Sequence, residues 1–425
     1  MWDFDTEPEF QEKLDWILRF MEEEVYPLET LAQDLTPEQL AGVTAPLKQR
    51  VKDAGLWACH LTPELGGQGL GQVKLALMNE IIGRSNVLAP PLFGSQAPDS
   101  GNAEILALFG SDDQKRRWLE PLLAGRIRSC YSMTEPGAGS DPTRLRTRAV
   151  REGDEWVLNG HKWFSSNAAR ADFLIVMCVT DPEAAPYRGQ SLLIVPAGTP
   201  GLHIVREVGI LVGEPTHAEI LYENVRVPAE NLLGPENGAF VIAQKRLGPG
   251  RIHHAMRWLG QGRRAFDMMC ERAVSRETKG GLLADKQTIQ NWIADSWAEM
   301  QAARLMTLHA AWVIDHKGSS GARTEIAAIK YFGAKVLHDV IDRAVQIHGA
   351  LGISTDLPLE RMYRYARAAR IVDGPDEVHR VTVARRVLRD YKPHEGPWPR
   401  EHIPTRRAAA LEKFAALLEE VGADL

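Results

Sequence analysis

The segment from Tyr363 to Arg380, YRYARAARIVDGPDEVHR, holds the turn around which the rest of this chain is organised. A helical pattern ends near Ile371, Asp373-Gly374-Pro375 follows, and a second helical pattern then begins. Proline suits the first position of a helix, and Asp376 and Glu377 suit its first turn, where the helix dipole favours acidic side chains. The segment therefore predicts two helices joined by a short turn that carries a carboxylate.

Asp373 has two interpretations at this position. As a helix cap, its side chain would accept hydrogen bonds from free backbone N–H groups. As a general base, it would take a proton from a ligand in an apolar pocket that faced it. The segment alone fits both roles, so the choice depends on what the rest of the chain supplies.

The composition is typical of a soluble globular protein with a large core. The chain has 425 residues, of which 44% are hydrophobic and 25% are charged, and its formal net charge is −6. This acidic balance argues against a nucleic-acid or anionic membrane partner. The longest apolar run, Phe173 to Val179, is too short to cross a bilayer, so we expect no membrane insertion.

Cysteine and histidine usage gives no sign of a metal site. The four cysteines are scattered, without a Cys-x-x-Cys pair, as expected in a reducing compartment. His253, His254 and His348 are interpreted as helix-face or loop residues, because no acid or histidine at ligand spacing accompanies them. The acidic N-terminus, MWDFDTEPEF, lacks the pattern of a signal peptide, and we expect a cytoplasmic location.

The hydrophobic period changes twice along the chain. It is helical at first, falls toward two between Arg128 and Pro228, and is helical again from Gly238 to about Asp390. A proline-rich link and one amphipathic helix follow, which fit either docking on a neighbouring subunit or a surface helix. The predicted class is α+β, and the predicted divisions are 1–128, 129–237, 238–394 and 395–425. The long helices of the third division are predicted near 252–276, 285–317, 325–348 and 359–371.

Three loops carry chemistry-bearing residues. Tyr131 to Ser140 reads YSMTEPGAGS, whose hydroxyls and glycine-flanked N–H groups can donate to a planar ligand or a phosphate. Asn159 to Asn167 reads NGHKWFSSN, where a ring could stack on a flat ligand while a serine donates to its edge. Thr62 to Gly71, TPELGGQGLG, is only a weak candidate for a phosphate loop, since no clear strand precedes it. Each segment alone also fits an ordinary turn with core aromatics.

Taken in order, these motifs resemble the acyl-CoA dehydrogenase family over nearly the whole chain, from about Phe10 to Tyr391. YSMTEPGAGSD is similar to the family's first signature, and NGHKWFSSN to its flavin-stacking hairpin. QIHGALGI, at Gln346 to Ile353, and the passage through Asp373 resemble the C-terminal signature. FDTEPEF and DGPDEVH are most similar to the subgroup of family members ten and eleven and their bacterial relatives. The resemblance implies an N-terminal helical domain, a middle β-barrel or sandwich domain and a C-terminal four-helix bundle.

The resemblance also implies roles for individual residues. Asp373 takes the place of the catalytic carboxylate, Arg251 that of an arginine near the CoA-binding helix, and Ser140 lies near the CoA pyrophosphate. Within the subunit, the residues implied to border FAD are Tyr131, Met133, Thr134, Ser140, Phe164, Ser165, Ser166, Pro375, Asp376 and Glu377. The residues implied to reach the FAD of a neighbouring subunit are Arg276, Gln287, Gln346, His348 and Gly349.

The reaction that the resemblance implies is α,β-desaturation of an acyl-CoA thioester, as in fatty acid β-oxidation. Asp373 would remove the α-proton while the β-hydride passes to flavin N5. Its backbone N–H and a ribityl hydroxyl of FAD would stabilise the developing enolate. An electron-transfer flavoprotein would then accept the electrons from a homodimer or homotetramer.

The chain departs from the family's usual pattern in four places. Asp373 stands where glutamate is usual, and its side chain is shorter by one bond, about 1.5 Å. Pro375 replaces a threonine, Lys279-Gly280 replaces Phe-Gly, and Gly248-Pro249-Gly250 precedes Arg251 where an acidic residue is common. Family members that oxidise nitroalkanes also use aspartate as the base. A nitroalkane-oxidase-like enzyme, or a DNA-binding flavoprotein on the same fold, is therefore the alternative.

Overall fold

A computed structural model describes residues 6–85, 87–211 and 213–425; the first five residues of the acidic N-terminus lie outside it. The chain forms two compact units, residues 1–380 and residues 381–425. The first contains an N-terminal set of helices, a β-sheet and a bundle of long helices. The second contains the end of one helix and a further helix.

The N-terminal helices pack around an apolar cluster. In the first helix, Phe10, Leu14 and Ile17 recur at helical spacing and are all buried. Two π-helical segments, Met21–Val25 and Lys115–Leu119, join neighbouring helices. The helices are α1 (Pro8–Phe20), α2 (Tyr26–Leu31), α3 (Pro37–Asp53), α4 (Gly71–Ile82), α5 (Ala89–Leu92), α6 (Asp99–Phe109), α7 (Asp112–Gln114) and α8 (Glu120–Leu123).

In the residues that the structure describes, seven strands then form one sheet. They are β1 (Ser129–Ser132), β2 (Arg148–Glu152), β3 (Glu155–Ser166), β4 (Phe173–Val179), β5 (Gln190–Pro196), β6 (Leu202–Ile210) and β7 (Gly213–Pro228). β3 pairs antiparallel with β2 and β7, and β1 pairs parallel with β4. Alternate residues of β4 belong to two different apolar clusters, so the strand is buried on both faces. This explains why its sequence, FLIVMCV, is apolar throughout.

Long helices form the third part, α9 (Ala239–Ser275), α10 (Gln287–Gly321), α11 (Arg323–His348), α12 (Leu359–Ala369) and α13 (Asp376–Leu388). A short hairpin of β8 (Glu277–Thr278) and β9 (Gly281–Leu282) joins α9 to α10. Gly248 of α9 lies beside Ile326, and Gly262 lies beside Leu337, so α9 and α11 run in the same direction. Gly248 also lies beside Ser319, and Gly262 beside Met300, so α10 runs in the opposite direction.

The predicted start of the first long helix at 252 was wrong. α9 begins at Ala239 and continues through Pro249, which is buried inside it. A proline normally interrupts a helix, because it removes one hydrogen bond and crowds the preceding turn. Here the surrounding helices bury the interruption. Further along, Gly260 permits the close approach of α4, because a Cβ there would lie 1.9 Å from the carbonyl oxygen of Glu80.

The glycine-rich loop from Thr62 to Gly71 leads into the start of α4. Asp315 of α10 accepts hydrogen bonds from the backbone N–H groups of Gln72 and Val73, at 2.7 and 3.0 Å. A carboxylate at a helix N-terminus satisfies free donors and the helix dipole together. The loop's end therefore serves to join α4 to α10.

The second unit contains the end of α13 from Val381 onward and α14 (Ile403–Glu420). Within it, Phe414 and Leu417 of α14 are exposed. The docking of this helix on a neighbouring subunit stays a prediction.

Candidate active site

Asp373 lies on the turn between α12 and α13, as its sequence context predicts. Its backbone is in the left-handed region, with φ of 54°, and Gly374 follows with φ of 98°. Its carboxylate oxygen Oδ2 is 3.3 Å from Nε2 of His254, so the side chain faces α9. The Asp373 carboxylate thus belongs to a contact between two segments that are far apart in sequence.

The surroundings of Asp373 favour its charged form. Burial opposes ionisation, but His254, Arg251 and Arg246 outweigh it and lower the pKa of the carboxyl. Burial lowers the pKa of His254 to about 4, so this imidazole is neutral at pH 7, and its Nε2 lies against the carboxylate. Asp373 is therefore a carboxylate in the state that a general base requires.

The two ends of the turn are tied down by buried side chains. The fully buried Lys330 of α11 donates to the carbonyl oxygen of Ala369, at 2.8 Å, at the end of α12. Arg370 Nε donates to Asp376 Oδ2 at 2.8 Å, and the Asp376 N–H donates to the Arg370 carbonyl at 3.1 Å. These bonds close the turn across its base and leave Asp373 at its tip.

The two sequence motifs of the β-sheet are held side by side. Tyr131 of β1 pairs with Ser166 of β3, and the hydroxyls of Ser132 and Ser165 lie 2.8 Å apart. The backbone N–H of Trp163 donates to the carbonyl of Thr134 at 2.8 Å. YSMTEPGAGS and NGHKWFSSN therefore form one surface.

Phe164 is presented outward by an irregularity in β3. The register between β3 and β7 shifts between Lys162 and Ser165, and Phe164 has φ of 53°. Its ring is 42% exposed and stacks on Trp163 with centroids 5.2 Å apart. An exposed aromatic ring held this firmly is suited to stack on a flat ligand.

Neighbouring serines of β3 differ in what they can contact. Ser165 is fully buried, and its hydroxyl is engaged by Ser132. Ser166 is half-buried, as are Met133 and Thr134, while Ser140 is exposed. At the Asp373 turn, Pro375 is half-buried and Glu377 is exposed.

The residues present fit FAD. The Tyr131 hydroxyl, Trp163 Nε1 and Asp376 Oδ1 are buried and have no hydrogen-bond partner within the described residues. Gly137 and Gly139 are open, since a Cβ at either position would meet nothing within 4 Å. Unsatisfied polar groups, an exposed ring and open glycines are what a flat ligand with hydrogen-bonding edges and a pyrophosphate would need.

Arg246 of α9 connects the sheet surface to the Asp373 turn. Its guanidinium lies over the ring of Tyr131, 4.3 Å from the centroid, and Nε donates to Asn102 Oδ1 at 3.1 Å. Its charge also helps to lower the pKa of Asp373. Arg246 and Asp373 therefore belong to one electrostatic environment.

The structure places a third group of predicted residues at the other end of the bundle. Arg276 follows the end of α9, Gln287 begins α10, and Gln346 and His348 end α11, with Gly349 following. Along α9, Arg276 is about 30 Å from His254 at 1.5 Å per residue. This group does not join the Asp373 site within one subunit.

Four residues beside Asp373 or its turn were missed by the sequence analysis: His254, His379, Arg246 and Lys330. One signal for His254 was available, because Arg251 and His254 are three positions apart and share a helix face. The four side chains come from three helices, which only the packing of the bundle brings together.

In the described ranges, no group of three or more His, Cys, Asp or Glu side chains could hold a metal ion. None of the helices that the structure describes is long and apolar enough to cross a membrane.

Comparisons with known proteins give the family. Three family models match consecutive parts of the chain: Acyl-CoA dehydrogenase, N-terminal domain, at 7–126, middle domain at 130–225, and C-terminal domain at 237–388. A probable acyl-CoA dehydrogenase, FadE2, from Mycobacterium tuberculosis is 48% identical over 80% of this chain and 84% of its own length. The structure of a putative acyl-CoA dehydrogenase from Mycobacterium abscessus has a TM-score of 0.85 and 39% identity, covering 92% of this chain and all of that one.

Acyl-CoA dehydrogenase family member 11 of Mus musculus is 41% identical over 89% of this chain. The chain spans 50% of the length of that relative, and 38% of the length of family member 10 from the same organism. The subgroup suggested by the sequence is thus among the relatives. Given three consecutive family domains and the shared fold, the chain belongs to the acyl-CoA dehydrogenase family of FAD-dependent oxidoreductases.

Proposed function

We propose that this protein catalyses α,β-desaturation of an acyl-CoA thioester, with Asp373 as the base that removes the α-proton. The observation that carries the proposal is the ionisation and position of the Asp373 side chain. It is a carboxylate with a lowered pKa, held 3.3 Å from His254 at the tip of a fixed turn. A base must be deprotonated and held within reach of the proton that it removes.

The chain's own residues would perform three tasks. Asp373 would receive the α-proton on its carboxylate, and its backbone N–H would donate to the developing enolate oxygen. Arg251 and Arg246 would hold positive charge beside that carboxylate. Bound FAD would supply the acceptor for the β-hydride.

Two surfaces would hold the cofactor. Phe164 would stack on the flavin, with Ser166 and Thr134 donating to its edge, and Tyr131, Met133 and Asp376 would border it. Support comes from the exposed ring of Phe164 and from the unpartnered Tyr131 hydroxyl and Asp376 Oδ1. We keep Ser165 as a neighbour of the flavin through its backbone, because its hydroxyl is bonded to Ser132.

The remaining assignments are proposals of the same kind. Ser140, which is exposed, would lie near the CoA pyrophosphate, while Arg251, bonded to the turn, would act at the thioester end. The electron acceptor would be an electron-transfer flavoprotein, and the active species a homodimer or homotetramer in the cytoplasm. Arg276, Gln287, Gln346, His348 and Gly349 would contact the FAD of a neighbouring subunit.

An anaerobic titration of the FAD-loaded protein with acyl-CoAs of different lengths tests the proposal. We expect some of them to bleach the flavin absorbance. Asp373→Asn should keep FAD but lose about 100- to 10,000-fold in the rate of reduction, the usual contribution of a general base. A yellow protein that no acyl-CoA bleaches, or unchanged reduction in Asp373→Asn, would refute it.

One observation favours a second candidate. An aspartate with a lowered pKa beside His254 and Arg251 also suits proton removal from a primary nitroalkane, with oxygen as the electron acceptor of the reaction. Bleaching by nitroethane but by no acyl-CoA would select this candidate.

DNA binding has less support. Arg364 is paired with Glu360, Arg370 is paired with Asp376, and Arg380 stacks on an aromatic ring. These arginines are thus engaged within the protein. A salt-dependent shift of DNA mobility would overturn this judgement.

A further inference from the structure

The backbone at Asp373 adopts a conformation that requires support. A residue other than glycine with positive φ persists only where its surroundings fix it, and Asp373 is such a residue. The contacts that fix its backbone are therefore informative about how the carboxylate is aimed.

The carbonyl oxygen of Asp373 accepts two hydrogen bonds from different helices. Arg251 Nη2 of α9 donates at 3.2 Å, and His379 Nε2 of α13 donates at 3.1 Å. Burial lowers the pKa of His379 to about 4, so the ring is neutral at pH 7. Since a carbonyl oxygen can only accept, the single proton of this ring is on Nε2.

The fit around His379 is close. A Cβ added at Gly374 would lie 2.9 Å from His379 Nε2, and Gly374 has φ of 98°. The glycine therefore lets the imidazole reach the turn. His379 fixes the backbone of Asp373, whereas His254 contacts its side chain at 3.3 Å.

We propose that His254 and His379 are two positioning residues for Asp373, one holding the carboxylate and the other holding the backbone that carries it. The inference rests on the proposed function of Asp373 as the base. An aspartate is shorter than the usual glutamate, so a small error in its direction would take it out of reach of the α-proton.

Charged groups from each neighbouring helix face this arrangement. Arg246, Arg251 and Arg257 come from α9, Lys330 comes from α11, and Asp376 and Glu377 come from α13. We expect them to remain in place when either histidine is replaced. A change in the pKa of Asp373 can then be attributed to the histidine.

The first test needs no substrate. FAD-loaded protein labelled with 13C in the aspartate carboxyls is titrated by NMR, and the signal absent from Asp373→Asn identifies Asp373. In His254→Leu the pKa of Asp373 should rise, because an apolar side chain replaces the polar group that lies 3.3 Å from the charged carboxylate. His254→Gln, whose amide places a polar group at a similar position, should lower the pKa again. An unchanged pKa in His254→Leu would overturn the role of His254.

Matched variants provide the controls. His253→Gln changes the adjacent buried histidine, whose Nε2 has no hydrogen-bond partner in the described part of the chain, and should not move the pKa of Asp373. If His254→Leu does not fold, His254→Asn replaces it, because the shorter amide does not reach Oδ2. FAD content is measured for every variant.

The second test uses the reduction rate with the acyl-CoA that bleaches the wild-type protein. His379→Leu should reduce the rate by about 100-fold at every pH without moving the pKa of Asp373. His379→Gln should recover most of it. Equal rates in His379→Leu and wild type would overturn the role of His379.

The two proposals fail in different ways. If no acyl-CoA reduces the wild-type protein, the proposed function is wrong, whereas the NMR titration still decides whether His254 holds the carboxylate. The rate test of His379 is then made with nitroethane as the substrate. The rate at which the α-proton of nitroethane exchanges for deuterium in D2O is measured as well. No exchange with wild-type protein would overturn the assignment of Asp373 as a positioned base.

Discussion

The ammonium nitrogen of Lys162 lies 2.9 Å from a carboxylate oxygen of Glu135, and both side chains are buried. Lys162 belongs to the hairpin NGHKWFSSN, and Glu135 belongs to the loop YSMTEPGAGS. Glu135 also accepts from the backbone N–H groups of Arg146 and Thr147, and Lys162 also donates to the carbonyl of Met133. This ion pair joins the two segments that would face the flavin.

Removing one charge of this pair should destabilise the protein more than removing both. Lys162→Met leaves Glu135 charged and buried, which should lower the free energy of unfolding by about 3–5 kcal/mol. Lys162→Met with Glu135→Gln should recover a large part of that loss. Urea unfolding at saturating FAD measures both values. If the loss of unfolding free energy in the double variant equals the sum of the losses in the two single variants, the two groups are not coupled.

The pH dependence of the reaction should be flat on the acid side. Since the pKa of Asp373 is lowered, the free enzyme holds the carboxylate charged throughout the range from pH 8 to about 5. We therefore expect kcat/KM, which reports the free enzyme, to show no fall between these limits. Measurement with a bleaching acyl-CoA checks this. A fall between pH 7 and 6 would mean that another group, or a raised pKa of Asp373, controls the reaction.

The position of Asp373 could be predicted from local residues alone. Pro375 and the acids after it mark a helix start, and the period of two between Arg128 and Pro228 marks the strands. Both signals depend on neighbours in sequence. The same is true of Phe164, whose motif predicted that a ring could stack on a flat ligand without predicting the bulge that turns it outward.

What surrounds Asp373 could not be predicted in this way. Arg251 donates to Asp373 across 122 positions of sequence, and Lys330 reaches the end of α12 across 39. These contacts depend on how α9, α11 and α12 pack. The start of α9 could not be predicted for a related reason, because tertiary packing maintains a helix through Pro249 that local preference would end.

The stability contributed by Lys330 should increase with pH in alkaline solution. Burial lowers its pKa to about 8, whereas an unfolded lysine titrates near 10.4. Between these two pKa values, Lys330 is protonated in the unfolded chain but mostly neutral in the native protein. Raising the pH therefore favours the native state. The stability of wild type relative to Lys330→Met should thus rise by about 1–3 kcal/mol from pH 8 to 10.

Urea unfolding of both proteins at several pH values tests this sign. Lys335→Met is the control, because Lys335 lies on the same helix but is exposed and paired with Asp339. The difference in stability between wild type and Lys335→Met should not increase over the same pH range. If the stability of wild type relative to Lys330→Met is constant or falls with pH, the pKa of Lys330 is not lowered.

Mixed oligomers should recover activity that each variant lacks. Arg276 lies about 30 Å along α9 from His254, so we expect it to complete the cofactor site of a neighbouring subunit. Asp373→Asn and Arg276→Ala should each reduce activity. In a mixed dimer, the subunit with intact Asp373 would receive intact Arg276 from the other chain. Random pairing of equal amounts should then leave about a quarter of the sites active, given twofold symmetry.

Co-expression of the two variants under different affinity tags allows the mixed species to be isolated. Its rate of acyl-CoA-dependent flavin reduction is compared with that of each variant alone. Asp373→Asn mixed with wild type is the control: its wild-type subunit receives intact Arg276, so that subunit should stay active unless the mutated subunit lowers the activity of its neighbour. If mixed dimers are no more active than either variant alone, Arg276 does not serve a neighbouring site, and the assignment of Gln287 beside it fails with it.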